Sequence, residues 1–170
     1  RFDLEMARMV SGDPRAGNLL DWLLHNTTML RYDDVRHFHF WPQFRAFLLW
    51  EMEKECSEEK RRAVFSRGAL YYELKEDYAH ALECYTKSGD HAKISELLIR
   101  NSEQHPGMGH YSEMETYYRA LPESEILASP SLMQGMSMLC ALNTDYENSE
   151  RWYHELEQFA AKCKKQDAVL

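Results

Sequence analysis

No stretch of this sequence approaches the ~20 consecutive apolar residues needed to cross a bilayer, and none is expected to span a membrane. The opening RFDLEMARMV has neither a long apolar core nor a small-residue cleavage site, so it does not read as a secretory leader. No C-x-x-C pair occurs. Cys56, Cys84, Cys140 and Cys163 lie far apart, the spacing expected of reduced thiols in a cytoplasmic protein rather than of a disulfide framework or zinc site. The phosphate-cradling loop G-x-x-x-x-G-K-[S/T] is missing, and so is the nucleophile turn G-x-S-x-G. Carboxylates are plentiful but sit in solvated helical patterns, so no catalytic constellation emerges and no enzyme is expected. Positive charge is scarce where it would matter for nucleic acid. Residues 113–157 hold nine acids against only Arg119 and Arg151, within a net charge of −8, and such a region repels a phosphate backbone. The chain does not begin with Met and ends in KCKKQDAVL without a clear stop, and is expected to be an excerpt of a longer protein.

What the sequence has is enough apolar material for a core, 44% of 170 residues, which argues against disorder over most of the length. It also has a repeat. DYAHALECY at 77–85 returns as DYENSERWY at 145–153. The shared pattern is Leu74, Asp77, Tyr78, Ala81, Tyr85, then Leu142, Asp145, Tyr146, Ser149, Tyr153. A fainter copy, with His110, Tyr111, Met114 and Tyr118, lies between them. A period near 34 residues is that of stacked helical hairpins of the tetratricopeptide type. The small residue lets two helices cross closely, and the tyrosines share a face that one hairpin cannot bury alone. Met114 stands at the small position of the middle copy and Gly107 and Gly109 in its turn, so that copy is expected to be distorted.

Residues 1–56 have a different texture. A short helix carries Leu4, Ala7 and Met9. Asp13 as N-cap with Pro14 at the first helical position opens a second, striped by Leu19, Leu20, Leu23 and Leu24. TTMLRYDDVRHFHF alternates as two strands, with Leu30 and Tyr32 in one and Phe38 and Phe40 in the other, around a turn at Asp33-Asp34. WPQFRAFLLWEMEK returns to helix with Trp41, Phe44, Leu48, Leu49 and Met52 on one side. Helices followed by a β-hairpin are the parts of a winged-helix domain. From 57 onward the reading is all helix. Ser57 caps a helix to about 75, a second spans 77–88 and stops at Gly89, and Asp90 caps 91–101. After a break at HPGMGH comes 111–120. Pro122 precedes a short turn, Ser129-Pro130 opens a helix to about 142, and the last runs 145–164. The fold class expected is therefore mainly α: a winged-helix-like domain with one β-hairpin at 1–56, then a tetratricopeptide-like array at 57–170.

Within that frame a few residues invite functional readings. His37 and His39 on one strand face could begin a metal site, but a site needs a third and usually a fourth ligand, and none stands nearby; a solvent-facing strand is the plainer reading. The helix at 16–25 sits where a DNA-reading helix would, yet has no Lys or Arg and contains Asp21, so direct nucleic-acid contact is not expected. Lys60-Arg61-Arg62 is flanked by Glu58 and Glu59, the pattern of a solvated helix face. Met136, equivalent to Gly68, reads as core. Repeat arrays bind partners along the groove lined by the first helix of each hairpin, which selects Arg62, Phe65 and Tyr72, then Ser102 and His105, then Met133, Ser137 and Cys140. Ordinary packing and solvated surface is the competing reading at each.

Three segments together carry a family resemblance: LLDWLLHNTTMLRYDDVRHFHFWPQFRAFLLWEM, GALYYELKEDYAHALECYTKSGDHAKISELL, and YRALPESEILASPSLMQGMSMLCALNTDYENSERW. In this order they resemble the central part of the large ATP-binding LuxR-type transcription regulators of bacteria, the MalT-like group of the STAND class. FRAFL and ALP…SP-x-L match that family's runs. Trp41 stands where the family commonly has His, and HPGMG interrupts a helix that is usually unbroken. The resemblance implies an arm between an NTPase module and inducer-sensing repeats, with ATP held by a domain outside this sequence and no cofactor within it. It implies partners that are an inducer, small molecule or protein, and other domains of the parent chain. A general repeat adaptor for peptides or proteins, with no transcriptional role, is the alternative.

Overall fold

In the computed structural model the described residues are 1–33, 36–104 and 108–167, with side chains of 104, 108–110 and 163–167 left aside. They form a mainly helical chain with one small antiparallel sheet. The elements are α1 (Leu4–Ser11), α2 (Ala16–Asn26), β1 (Leu30–Tyr32), β2 (Phe38–Phe40), α3 (Pro42–Glu55), α4 (Glu58–Leu74), α5 (Tyr78–Ser88), α6 (His91–Gln104), α7 (Met108–Ala120), α8 (Glu123–Leu127), α9 (Pro130–Leu142) and α10 (Tyr146–Asp167). By packing they divide into two compact units, Arg1–Gly89 and Asp90–Leu170.

The first unit is built around two small cores. Leu20, Leu30 and Phe38 are buried together, with Phe2, Leu4, Ala7, Leu23, Leu24 and Phe40 against them. β1 pairs with β2 in the register Leu30 to Phe40 and Tyr32 to Phe38. Phe2 adds a bridge on the far side of β2, its carbonyl accepting from the Phe38 N–H at 2.7 Å. Asp3 caps α1 by accepting from the Met6 N–H at 2.7 Å, and its other oxygen accepts from the Tyr71 hydroxyl of α4 at 2.7 Å. Lys75 reaches Glu5 at 2.7 Å. The second core is the α4–α5 pair, with Ala69, Ala81, Leu82 and Tyr85 buried. Ser57 caps α4 and a left-handed Gly89 ends α5, as those residues predict.

Three expectations for this unit fail in part. α2 starts at Ala16 and has no side-chain cap. Asp13 instead closes a local turn, accepting from the Arg15 N–H at 2.8 Å, because a carboxylate two residues upstream competes well for a free amide. Leu19 of the proposed apolar stripe is exposed, as is Trp22, while Leu20 packs inward. None of the residues of α3 is buried: Phe44, Leu48 and Met52 are half-buried, with the Phe44 ring edge-on to Phe40 at 5.7 Å, while Leu49, and Trp41 just before the helix, are exposed. Of the turn at Asp33-Asp34, Asp34 lies outside the described residues.

In the second unit α9 is central, packing on α6, α7, α8 and α10. Its core includes Ile94, Leu97, Leu98, Tyr118, Leu132, Met133, Met136, Leu139 and Trp152. Each such large side chain removed from water contributes about 1.5–3 kcal/mol, which is why the apolar α9 is the axis of the unit. The tightest approach is at Gly135. A Cβ there would lie 2.5 Å from the Tyr118 hydroxyl and 2.6 Å from its ring. Ser129 stands at the start of α9 without a side-chain cap bond, Pro130 alone setting the first turn. The break expected over 105–110 is shorter than predicted: residues 108–110 already belong to α7, and 105–107 lie outside the described residues. No helix among the described residues is long and apolar enough to cross a membrane.

Candidate functional site

The sequence repeat becomes a structural one at two turns. After α4 the chain passes through Lys75, Glu76 and Asp77; after α9 it passes through Asn143, Thr144 and Asp145. Glu76 has φ 60° and Thr144 φ 59°, the same left-handed step in each. Lys75 N–H bonds Tyr71 C=O and Asn143 N–H bonds Leu139 C=O; Asp77 N–H bonds Tyr72 C=O and Asp145 N–H bonds Cys140 C=O. Both aspartates then cap the following helix, accepting at 3.3 Å from His80 N–H and from Asn148 N–H. Even the side-chain pairs match, His80 Nδ1 and Asn148 Nδ2 each lying 2.8 Å from the second aspartate oxygen. α4–α5 and α9–α10 are thus two copies of one helical hairpin, 68 residues apart.

The hairpins differ where their helices cross. Ala69 and Ala81 are fully buried in the first copy. Their equivalents are Ser137 and Ser149, joined reciprocally: Ser137 Oγ donates to Ser149 C=O at 3.0 Å and Ser149 Oγ to Ser137 C=O at 2.9 Å. They differ too at the second tyrosine. Tyr85 is buried, its hydroxyl donating to Glu73 at 2.8 Å. The position equivalent to Glu73 is Ala141, and Tyr153 is exposed.

The residues singled out from the groove argument separate into three groups. On α4, Arg62 is exposed and paired to Glu58 at 3.2 Å; Arg61 shares that carboxylate at 2.6 Å, as the flanking acids predict. Phe65 is half-buried, with the Lys87 ammonium 5.7 Å from its ring. Tyr72 is half-buried and stacks on His80 with centroids 5.0 Å apart. Burial, then the nearby Cys84 and Asp77, hold its phenol above the usual tyrosine range. Arg62, Phe65 and Tyr72 therefore form one accessible α4 surface ending at the Asp77–His80 pair. In the second unit the picture reverses. Met133 is 1% exposed and Cys140 is buried, so neither presents a side chain to a ligand, and Ser137 is engaged with α10. Ser102 donates to Ile99 C=O at 2.7 Å. His105 lies outside the described residues. Met136 belongs to the core, as its place in the repeat predicts.

Arg31, Asp33, His39 and Trp41 line a shallow hollow on the outer face of the sheet. His39 Nε2 is 2.8 Å from Asp33, His37 Nδ1 3.8 Å from the same carboxylate, and the Arg31 guanidinium lies 4.0 Å above the Trp41 ring. The two histidines do share a side, but no group of three His, Cys, Asp or Glu side chains that could hold a metal occurs among the described residues. Burial raises the thiols of Cys84 and Cys140, which keeps both in the unreactive protonated form. What sequence reasoning missed is the Asp3–Tyr71 bond, which spans 68 residues without a local signal, and His80, whose position three residues after a capping aspartate was a readable cue. The exposed Arg62 and half-buried Phe65 and Tyr72 on α4 offer a surface for binding. No protein-family model, curated protein or solved structure matches the chain.

Proposed function

We propose that the chain is a non-catalytic regulatory module, an arm over residues 1–56 followed by tetratricopeptide-like repeats from 57 that sense an inducer or partner, within a cytoplasmic LuxR-type ATP-dependent transcription regulator of the MalT-like kind. The observation that carries the reading is the doubled hairpin, identical in turn conformation and capping, since repeats of one supersecondary unit present their helix faces for binding. The order bridge at Phe2, α1, α2, then the β1–β2 hairpin is that of a winged helix after its first helix, and supports the arm. The Asp3–Tyr71 bond gives such a module a physical coupling between arm and first repeat. A ligand on the α4 surface would then act by favouring one of two arrangements of the parent protein. ATP would belong to a domain outside this sequence, and DNA contact to another.

A thermal-shift screen of the chain against sugars, nucleotides and small metabolites tests this. A ligand that binds only the folded state, present at 100 times its Kd, stabilises by about 2.7 kcal/mol. The expected result is a raised melting temperature that Tyr72→Ala or Arg62→Ala abolishes. A well-folded chain that no compound stabilises overturns the small-molecule sensor and favours the second reading, a repeat adaptor for protein partners. An open tyrosine face on α10 is the observation that supports that alternative. A parent gene with an upstream P-loop and a downstream helix-turn-helix would separate the two.

A further inference from the structure

α10 is held to its unit by one side only. Trp152 is buried, Ser149 is bonded to Ser137, and Leu156 and Phe159 are half-buried. The opposite side carries Tyr146, Glu150, Tyr153 and Glu157, at positions i, i+4, i+7 and i+11, which lie along one stripe of a helix. All four are exposed. In the first hairpin the same tyrosine pair is closed: Tyr78 is half-buried and Tyr85 is 3% exposed, whereas Tyr146 is 68% and Tyr153 56% exposed. A face that one copy of the hairpin buries is left open in the other. Its charge is one-sided. Glu150 has no ion-pair partner among the described residues, Glu157 has only the His154 imidazole at 3.7 Å, and Arg151, the one Lys or Arg between Tyr146 and Glu157, is turned to Glu123 and the Trp152 ring.

From this we infer that the Tyr146–Glu150–Tyr153–Glu157 stripe of α10 is a docking surface for an amphipathic helix of basic character. Two tyrosines spaced two turns apart provide rigid, partly apolar anchors of the kind that dominate helix-in-groove contacts. The carboxylates between them select Lys and Arg on the incoming helix, whose cations can also sit over the tyrosine rings. An acidic helix would meet like charge and be rejected. The surface is distinct from Arg62, Phe65 and Tyr72 on α4, so it stands or falls independently of an inducer site there.

The test is selection of the intact chain against a displayed library of amphipathic helices whose charged positions are randomised among Lys, Arg, Asp and Glu, followed by fluorescence anisotropy on the selected peptides. Enrichment of Lys and Arg beside an apolar stripe is expected, with affinity falling roughly tenfold or more for Tyr153→Ala and also for the pair Glu150→Lys and Glu157→Lys. All three positions are exposed, so folding is retained, and circular dichroism verifies it. Enrichment of acidic or uncharged helices, binding indifferent to these substitutions, or no enrichment overturns the inference. So does concentration-dependent dimerisation in sedimentation equilibrium that Tyr153→Ala abolishes, which would make a second copy the occupant.

Discussion

Two glycines show how a single missing methyl group can matter in opposite directions. At Gly68 an added Cβ would sit 3.8 Å from Cys84 Sγ and 3.9 Å from Val10, ordinary contact distances. Gly68→Ala should therefore stabilise by about 0.5–1 kcal/mol, the usual gain of alanine over glycine in a helix. Gly135 is helical too, but there the Cβ meets a Tyr118 ring that is itself 1% exposed and cannot swing away. Overpacking costs typically about 1–3 kcal/mol and should outweigh the helix gain, so Gly135→Ala is expected to destabilise by about 1–2 kcal/mol. Urea unfolding of both variants distinguishes these signs. Asp3 links stability to pH. Burial pushes its carboxyl up, but the Met6 N–H, the Tyr71 hydroxyl and Lys75 together bring it below the ordinary aspartate range. A depressed folded pKa means stability that is present above the unfolded value, about 4, and lost as pH falls through the folded one. Asp3→Ala should cost about 1–2 kcal/mol at pH 7, from the lost cap and the lost Tyr71 partner. That difference should shrink steadily below about pH 4, as equilibrium unfolding at a series of pH values would reveal.

At the scale of elements, the turn between the helices of each hairpin stores the same strain. Glu76 and Thr144 adopt a left-handed conformation that costs a side-chain-bearing residue about 1 kcal/mol or more. Glu76→Gly and Thr144→Gly relieve it at the expense of a freer unfolded chain, and a net gain of about 0.5 kcal/mol is expected for each by thermal melts, without change in helicity. These turns also mark what was legible in advance. Asp77, Ser57, Gly89 and Asp90 act through neighbours within four residues, and such local signals place helix ends directly. The 68-residue repeat was readable because both hairpins need the same turn. The burial of Met133 was not. Its counterpart Phe65 lies on α4, which packs on α1 and α5, whereas α9 is surrounded by α6, α7, α8 and α10. A shared hairpin fixes the local path of the chain but leaves open which faces receive neighbours. α3 makes the same point in reverse: its apolar side was plain in the sequence, yet it is only half-covered within the unit and no residue of the helix is fully buried.

For the whole molecule the relevant division falls at Gly89, after the first hairpin, so that Asp3, Tyr71, Lys75 and Glu5 belong to one compact unit while Tyr118, Gly135 and the paired serines belong to the other. Perturbations should therefore remain local. Hydrogen exchange read by mass spectrometry is expected to show faster exchange in α1 and α4 for Asp3→Ala, and in α7 and α9 for Gly135→Ala, with each variant leaving the other unit unchanged. Exchange spreading evenly through both units in either variant would show that they open as one.

The serine pair between α9 and α10 gives the chain a means of telling its two similarly built hairpins apart. During folding α4, α5, α9 and α10 are all present, and two hairpins built to one plan invite the wrong helix into a crossing. Alanine at 69 and 81 accepts any close neighbour. Ser137 and Ser149 complete each other's hydrogen bonds only when α9 meets α10 in the observed register. An exchanged pairing would bury a hydroxyl opposite a methyl group, a loss of about 1–3 kcal/mol. Two oxygen atoms thus act as an address label, favouring the second hairpin closed on itself in a chain that uses one hairpin plan twice.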